Sequence, residues 1–583
     1  MIVEQLNPAE IASLEALKSI RECIDKKSCF RLEAGAGAGK TYSLIESLKY
    51  LLNEDTLTLS KSSQKIACIT YTNVAKEEIK SRTDNHPAIF ADTIHAFCWS
   101  LLQSYQVKLR EFIPNLSEKW GERIIGEPIT NQVVKYDLGF PKITGKEISL
   151  HHDDVIFCMA EMLKYPKFQL FLKSKYPVIF IDEYQDTNLK LAKSLLDNVI
   201  DNNSGILVGL FGDHWQKIYG KNACGLIESS KGKIVEIGKR ANFRSDKSIV
   251  DSLNRIRTDL PQEPFDPLSN GKIKVFHTNN WEGIRESGSH SKGDLPSSIV
   301  KECIKNVKEI AVNDGWDFLS TNTKILFLTN NLIAEEQNFR NLADCFEYSD
   351  DYLKKEDEYI EFFLDIFEPI IESFINKNYG NIFRLGGKNN FRLSCQNDKV
   401  KWSLDINKIM KLRESCKVIE ILEEIKSLNT ILLPEKIINL EAKYLSLTQK
   451  KDLDEKELKF IEKIKKIHQV EYCELINLEE FIEEKTPFST KHGVKGAEFD
   501  NVLVVFGRGW NQYNWDQMLN WMSNTIPNGK QDSFERNRNL FYVSCSRAKH
   551  NLYLLFTQQL SESSIEKLEE IFGESNIYDN LIS

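Results

Sequence analysis

The chain has 583 residues, 41% hydrophobic and 28% charged, which excludes a disordered or collagen-like polymer and is too long for one hydrophobic core. Its net charge of −9 excludes a generally basic nucleic-acid coat and leaves room only for a local basic groove. The 12 cysteines show no C-x-x-C pair and no zinc spacing, so they read as reduced thiols of a cytoplasmic protein. Met1–Glu22 carries acids and no unbroken apolar run, so no secretory leader is expected, and no eighteen-residue apolar stretch is present to span a membrane.

In chain order, the apolar strand Phe30–Glu33 runs straight into Ala34-Gly-Ala-Gly-Ala-Gly-Lys40-Thr41 and then into the helical pattern Tyr42–Leu52. Small residues let the backbone curl so that several N–H groups converge on one anion, and the helix N-terminus adds its positive end. Ala34, Gly35, Ala36, Gly37, Ala38, Gly39, Lys40 and Thr41 are therefore the candidate nucleotide-binding loop. Lys40 is placed for the β- and γ-phosphates and Thr41 for Mg²⁺. The bland alternative, a glycine-rich turn without a ligand, is disfavoured by Gly-Lys-Thr in register.

The strand Ile66–Tyr71 and the helix Val74–Arg82 follow, and then a short mixed insertion over 100–150. Val178–Ile181 is continuously apolar, as a strand buried on both faces should be, and ends in Asp182 and Glu183. Asp182 is the expected Mg²⁺ carboxylate, and Glu183 is placed to orient or deprotonate the attacking water. Further strands are expected at Ile206–Phe211, Lys272–Phe276, Lys324–Thr329, Asn501–Phe506 and Asn551–Phe556. Strands alternating with helices indicate parallel α/β sheets, here two units in tandem, each interrupted by an insertion. The second insertion, 347–485, is rich in Lys, Glu, Ile and Leu; Leu432–Val470 reads as amphipathic helix and its charge runs as a solvated face. Ser287–Pro296 reads as a flexible loop.

At Asp182-Glu-Tyr-Gln-Asp-Thr-Asn188 the chain resembles superfamily 1 DNA helicases of the UvrD/Rep/PcrA group. Six more segments resemble that group's motifs in order: Thr70–Ala75, Asp92–Phe97, Gly212–Tyr219, Asn242–Ser245, Thr490–Asp500 and Tyr542–Ala548. With the phosphate loop, that makes eight collinear matches.

The resemblance implies two RecA-like P-loop domains, 1–99 plus 151–245 and 246–346 plus 486–583, with mainly helical insertions at 100–150 and 347–485. It implies an ATP hydrolase of the superfamily 1A type that uses ATP and Mg²⁺ and moves 3′ to 5′ on single-stranded or tailed duplex DNA. Gln216 would couple hydrolysis to movement, and Arg244 and Arg547 would be the arginine fingers. Phe243 would stack on adenine where the group usually has Tyr, and Glu498 would lie near the ribose or triphosphate. Tyr71 and Tyr219 would stack bases, while Thr72, Asn73, Thr93, His95 and His492 would contact phosphate or sugar.

Two departures stand out. Lys221 falls where the group's motif III has a base-stacking Trp, with Trp215 only nearby. The upstream adenine-reading Gln has no clear match, since Leu6-Asn-Pro-Ala-Glu10 carries Glu. The alternative function is a DNA-stimulated ATPase subunit that licenses a partner nuclease, as in bacterial defence systems pairing such helicases with one. A non-hydrolytic scaffold is excluded because every catalytic residue is present.

Overall fold

The structure is a computed structural model that describes residues 6–61, 63–136, 141–218, 222–288, 291–319, 321–328, 330–385, 395–428, 431–483, 486–490, 496–508 and 513–582. The chain opens with helix α1 (Pro8–Asp25), strand β1 (Phe30–Ala34), helix α2 (Lys40–Lys61) and strand β2 (Ile66–Thr70). Helix α3 (Asn73–Arg82), strand β3 (Ile89–Thr93) and helix α4 (Ile94–Leu102) follow. The first insertion adds strands β4 (Val133–Tyr136), β5 (Lys142–Ile143) and β6 (Glu147–Leu150). Strands β7 (Val178–Asp182), β8 (Leu207–Gly212) and β9 (Val235–Lys239) then complete a parallel sheet of order β3-β2-β7-β8-β1-β9. Every residue of β1, β2 and β8 is buried, because helices cover both faces. One face packs Phe30, Phe180 and Phe211 under Leu17 of α1 and Leu44 and Leu48 of α2. The other packs Ile69, Ile181 and Val208 under α4 and the helix His152–Met162.

Strands β10 (Ala241–Asn242) and β11 (Glu263–Pro264) form a two-residue bridge between the units. The second sheet comprises β12 (Lys272–His277), β13 (Thr323–Phe327), β14 (Phe488–Thr490), β15 (Phe499–Phe506), β16 (Ala548–Phe556) and β17 (Ile577–Tyr578). Its order is β14-β13-β15-β16-β12-β17, again all parallel. The fold is thus two RecA-like α/β domains: the first presents its loop after β1 and Asp182 at the carboxyl edge of its sheet, and the second brings Glu498 and Arg547 from the amino ends of β15 and β16.

The insertions depart from expectation in detail. The first is mixed, as its sequence reads, rather than mainly helical as the resemblance implies: helices Gln106–Phe112 and Glu118–Gly126 pack with a three-stranded sheet of order β4-β6-β5. It has no core of its own, since Leu109, Trp120, Val134 and Ile148 join the core beneath the first sheet. The second is helical, but Leu432–Val470 is two helices, Glu435–Thr448 and Glu455–Gln469. Asp454 restarts the helix through a capping box with Glu457, a local signal strong enough to interrupt an amphipathic pattern. Among the described residues of 287–296 no helix or strand forms, yet Asp294 makes an isolated β-bridge to Gln558, and its carboxylate accepts the Arg508 N–H at 2.7 Å and the Thr557 hydroxyl at 3.0 Å.

The helical insertion shares its core with one face of the second sheet: Ile421, Leu422 and Ile464 pack in one cluster with Phe327, Leu503 and Leu555. Inside it, the buried Glu441 carboxylate accepts the Tyr359 hydroxyl, lies 2.9 Å from His468 Nε2 and receives Lys426 at 3.2 Å. Burial opposes its charge, but the hydrogen bonds from His468 and Tyr359 outweigh burial and hold its pKa down at about 2. A depressed pKa contributes stability above the ordinary value of 4.5, and that contribution is lost as pH falls from there through about 2. Glu441→Gln is expected to destabilise the insertion by about 1.5–3 kcal/mol at neutral pH. The same variant should flatten the acid limb of the stability curve, read by urea unfolding at pH 2–7; an unchanged acid limb would remove Glu441 as its source.

Candidate nucleotide site

The phosphate loop leaves β1 at Ala34 and enters α2 at Lys40. Gly37 and Gly39 adopt φ of 74° and 73°, which side chains rarely tolerate. Gly37 is also required sterically, because a Cβ there would lie 2.7 Å from Asn242 Oδ1. The loop is held both by the trailing edge of the first unit and by the second unit. The Ala36 N–H donates to the Tyr542 hydroxyl at 3.2 Å, and the Asn242 and Gln262 amides donate to Ala36 O at 3.2 and 3.1 Å. The Phe243 N–H donates to Gly37 O at 2.9 Å.

Lys40 Nζ sits 3.0 Å from Glu183 Oε1. Burial works against the lysine's charge, but Glu183, Asp213 and Asp182 outweigh it and raise its pKa above the ordinary value. The hydroxyl of Thr41 and the carboxylate of Asp182 are hard oxygen donors that suit a divalent cation. Glu183 is one of the few non-glycine residues in the left-handed region, with φ of 49°, where the chain turns sharply off the end of β7. The Gln185 amide donates to Glu183, and its carbonyl accepts the Asp213 N–H at 3.0 Å. Asp213 in turn accepts the Gln216 amide at 2.9 Å. The acid at the end of β7 and the turn after β8 therefore move as one unit.

Two arginines approach the loop, Arg244 from the edge of the first unit and Arg547 from the second. Arg547 is only 1% exposed and donates to Gln216 Oε1 at 3.5 Å and to Val543 O at 3.0 Å. Burial and the neighbouring Arg244 both lower its pKa. Arg244 is held by Glu498 at 3.0 Å and by Ser546 O at 2.9 Å. Burial opposes the charge of Glu498, but Arg244 and then Lys549 outweigh it and lower its pKa. Phe243 is 40% exposed beside Phe265, its ring open to a ligand, as is that of Tyr42, 47% exposed on the first turn of α2. Glu10 closes a capping box with Asn7 at the start of α1, which accounts for that carboxylate without a base-reading role.

The residues expected along the nucleic-acid track have varied settings. Thr72 and Thr93 cap α3 and α4, accepting from Ala75 N–H at 3.2 Å and Ala96 N–H at 3.4 Å, and Thr72 and Asn73 are exposed. Tyr71 is partly buried and packs against the core under the first sheet. His95 lies against His152, ring centroids 4.7 Å apart, and burial, then His152, push its pKa down to about 4. Trp215 is core: it is 8% exposed, with the Arg538 guanidinium 3.7 Å from its ring centroid. Tyr219, His492 and Lys221 lie outside the described residues.

Several functional neighbours were not singled out from sequence. Gln185, Asp213 and Tyr542 lay inside recognised motifs and could have been drawn from them. Arg257, Gln262 and Lys239 belong to no motif and come to the site only through tertiary folding. Arg257 Nη1 meets Asp213 Oδ1 at 2.6 Å, and its Nη2 lies 3.8 Å from Glu33. Glu33 also takes the Tyr184 hydroxyl, with His214 Nδ1 at 3.0 Å and Arg31 Nε at 3.1 Å. Glu33, Asp213 and His214 cluster closely enough to hold a cation, and the Arg257 guanidinium already supplies one.

A phosphate loop, an acid-tipped strand, an arginine at the edge of the first RecA-like domain and another brought in from the second define a two-domain P-loop ATPase. The model of an AAA domain matches residues 18–222, and that of a UvrD-like helicase C-terminal domain matches 336–559. Gabija protein GajB of Bacillus cereus (strain HuB5-5) is 28% identical, the match covering 96% of this chain and 97% of that one. The ATP-dependent DNA helicase Rep of Buchnera aphidicola subsp. Schizaphis graminum is 22% identical over 90% of each chain. The ATP-dependent DNA helicase PcrA of Staphylococcus aureus is 24% identical over 47% of this chain and 43% of its own. The chain belongs to the UvrD-like helicase superfamily. Among the described residues no helix is long and apolar enough to cross a membrane.

Proposed function

We propose that this chain is a superfamily 1A ATP-dependent translocase on single-stranded DNA, moving 3′ to 5′ and coupling hydrolysis to duplex unwinding. The observation that carries the reading is the contact of Arg547, from the second domain, with Gln216 of the first, 3.5 Å apart across the cleft. In this reading Lys40 and the loop bind the triphosphate, and Thr41 and Asp182 hold Mg²⁺, whose role is to neutralise phosphate charge. Glu183 orients the water, and Arg244 and Arg547 stabilise the transferred phosphoryl group.

The charges define the stroke. Triphosphate entering between Lys40, Arg547 and Arg244 gives the arginines an anion to close upon, and Arg244 exchanges Glu498 for phosphate. Closure drags the second domain, because Asn539 donates to His214 O at 3.2 Å and to Lys217 O at 3.3 Å in the turn that carries Gln216. Hydrolysis removes the anion and the cleft reopens. Domain boundaries at 99/151/245 and 346/486, with the helical insertion 347–485 carried by the second domain through their shared core, fit this motion. Thr72, Asn73, Thr93, His95 and Tyr71, at the carboxyl ends of β2 and β3, together with Tyr219 and His492, form the proposed strand contacts.

The likeness to Gabija protein GajB, 28% identical against 22% for the similarly covered helicase Rep, supports a second reading. There the chain is a DNA-stimulated ATPase subunit of a cytoplasmic defence system, licensing a partner nuclease with little unwinding of its own. ATPase activity measured with and without single-stranded DNA, then unwinding of 3′-tailed and 5′-tailed duplexes, separates the two, with Lys40→Ala as the blank. Stimulated hydrolysis with unwinding of the 3′-tailed substrate alone is the expected result. Stimulation without unwinding of either substrate selects the subunit reading, and no stimulation at all rejects both.

A further inference from the structure

Lys239, the last residue of β9, pairs in register with Ala34 and is 0% exposed. A buried ammonium normally meets a carboxylate. This one donates only to Gly39 O at 3.2 Å and to the Ser43 hydroxyl at 2.8 Å, and no carboxylate among the described residues is within ion-pair distance. Its neighbours make the position stranger. Gly39 ends the phosphate loop and Ser43 lies in the first turn of α2, whose N-terminal dipole end is itself positive. The cation is thus buried against a like-signed helix end, and burial alone pulls its pKa down to about 8.

Its Nζ also lies 5.5 Å from the Tyr42 ring centroid and 5.8 Å from that of Phe243, the two half-exposed rings bordering the loop. An arrangement that is electrostatically unfavourable when empty becomes favourable when an anion enters between those rings and the helix end. We propose that Lys239 is a nucleotide-binding residue whose missing counter-charge is the phosphate chain of a nucleoside di- or triphosphate, at the end nearest the base. The inference rests on the nucleotide-site reading above. It adds a second lysine to the site: Lys40 reaches from inside the loop toward the terminal phosphates, while Lys239 lies beneath the loop, on the side of the aromatic rings.

The competing role is a structural strut that ties Gly39 to α2, and two variants separate the roles. Lys239→Met removes charge and hydrogen bonds together; Lys239→Gln retains a donor for Gly39 O and Ser43 while removing the charge. The readouts are the thermal midpoint with and without ADP, ADP affinity by calorimetry, and the KM and kcat of the DNA-stimulated ATPase. Both variants are expected to melt at or above wild type without nucleotide, because a buried like-signed charge is gone. Both are expected to bind ADP about tenfold more weakly, the loss of a charge-assisted contact, and to raise KM for ATP rather than lower kcat. Wild-type ADP affinity in Lys239→Gln, or a large loss of nucleotide-free stability in Lys239→Met with affinity intact, overturns the proposal in favour of the strut. Failure of the wild-type protein itself to bind ADP would instead overturn the nucleotide-site reading.

Discussion

Arg547→Ala is expected to lower the DNA-stimulated turnover of ATP by about 10³-fold or more, while leaving nucleotide affinity within a few-fold of wild type. The guanidinium is fully buried, beside a second arginine, with Gln216 as its contact across the cleft. The neighbouring Arg244, half-buried and paired with Glu498, still repels the buried Arg547, and that repulsion is relieved most when charge accumulates on the phosphoryl oxygens in the transition state. The interaction is therefore stronger there than in the ground state, which is why the loss falls on kcat. Arg547→Lys should recover little, because a compact ammonium cannot reproduce the fork that engages Val543 O, Ser546 and Gln216 together. Steady-state hydrolysis at saturating DNA, with ADP binding as the folding control, is the measurement. A kcat within tenfold of wild type, with binding intact, would deny Arg547 the finger role.

How much of this was legible in the sequence depended on how local each signal was. Gly37, Gly39 and Lys40 declare themselves because a turn that must curl, followed by a helix that must begin, leaves few residue choices. Asp182 and Glu183 declare themselves because a strand buried on both faces tolerates carboxylates only at its end. The alternation of strands and helices carried both sheets, and all eight expected strands are found within a few residues of their expected limits. What failed to show was interaction at a distance. Lys239 is 200 residues from Gly39, and Arg257 is 44 from Asp213, and neither has a periodic or motif setting. The helix break at Asp454 was missed because amphipathic spacing continues across it, whereas the capping box that causes it is a four-residue signal. Trp215, near the motif but given no stacking role from sequence, is indeed structural: its ring lies between Arg538 and Arg257, inside the domain junction.

Arg257 carries the largest expected effect on stability. It follows the helix Lys247–Ile256, which packs on the second sheet, and its side chain crosses to Asp213 and Glu33 of the first domain. The Trp215 and Tyr542 rings flank it, 5.5 and 5.8 Å from its guanidinium carbon. Burial opposes its charge, but Asp213 outweighs burial and raises its pKa. Truncating one member of a buried ion pair leaves the other charge unpaired in a low dielectric, so Arg257→Met is expected to cost about 3–5 kcal/mol. Asp213 is the member stranded, since Glu33 keeps Arg31, His214 and Tyr184. Removing both charges should therefore be milder than removing one: Arg257→Met combined with Asp213→Asn should recover a large part of the loss, a coupling that denaturant unfolding of the four proteins of the cycle would read. Additive losses would mean that Arg257 acts through packing on the two rings alone. The same residue ties the two domains together immediately behind the turn that carries Gln216. The double variant, restored in stability but lacking the bolt, should accordingly hydrolyse ATP with weakened stimulation by DNA, because the turn could then shift without moving the second domain.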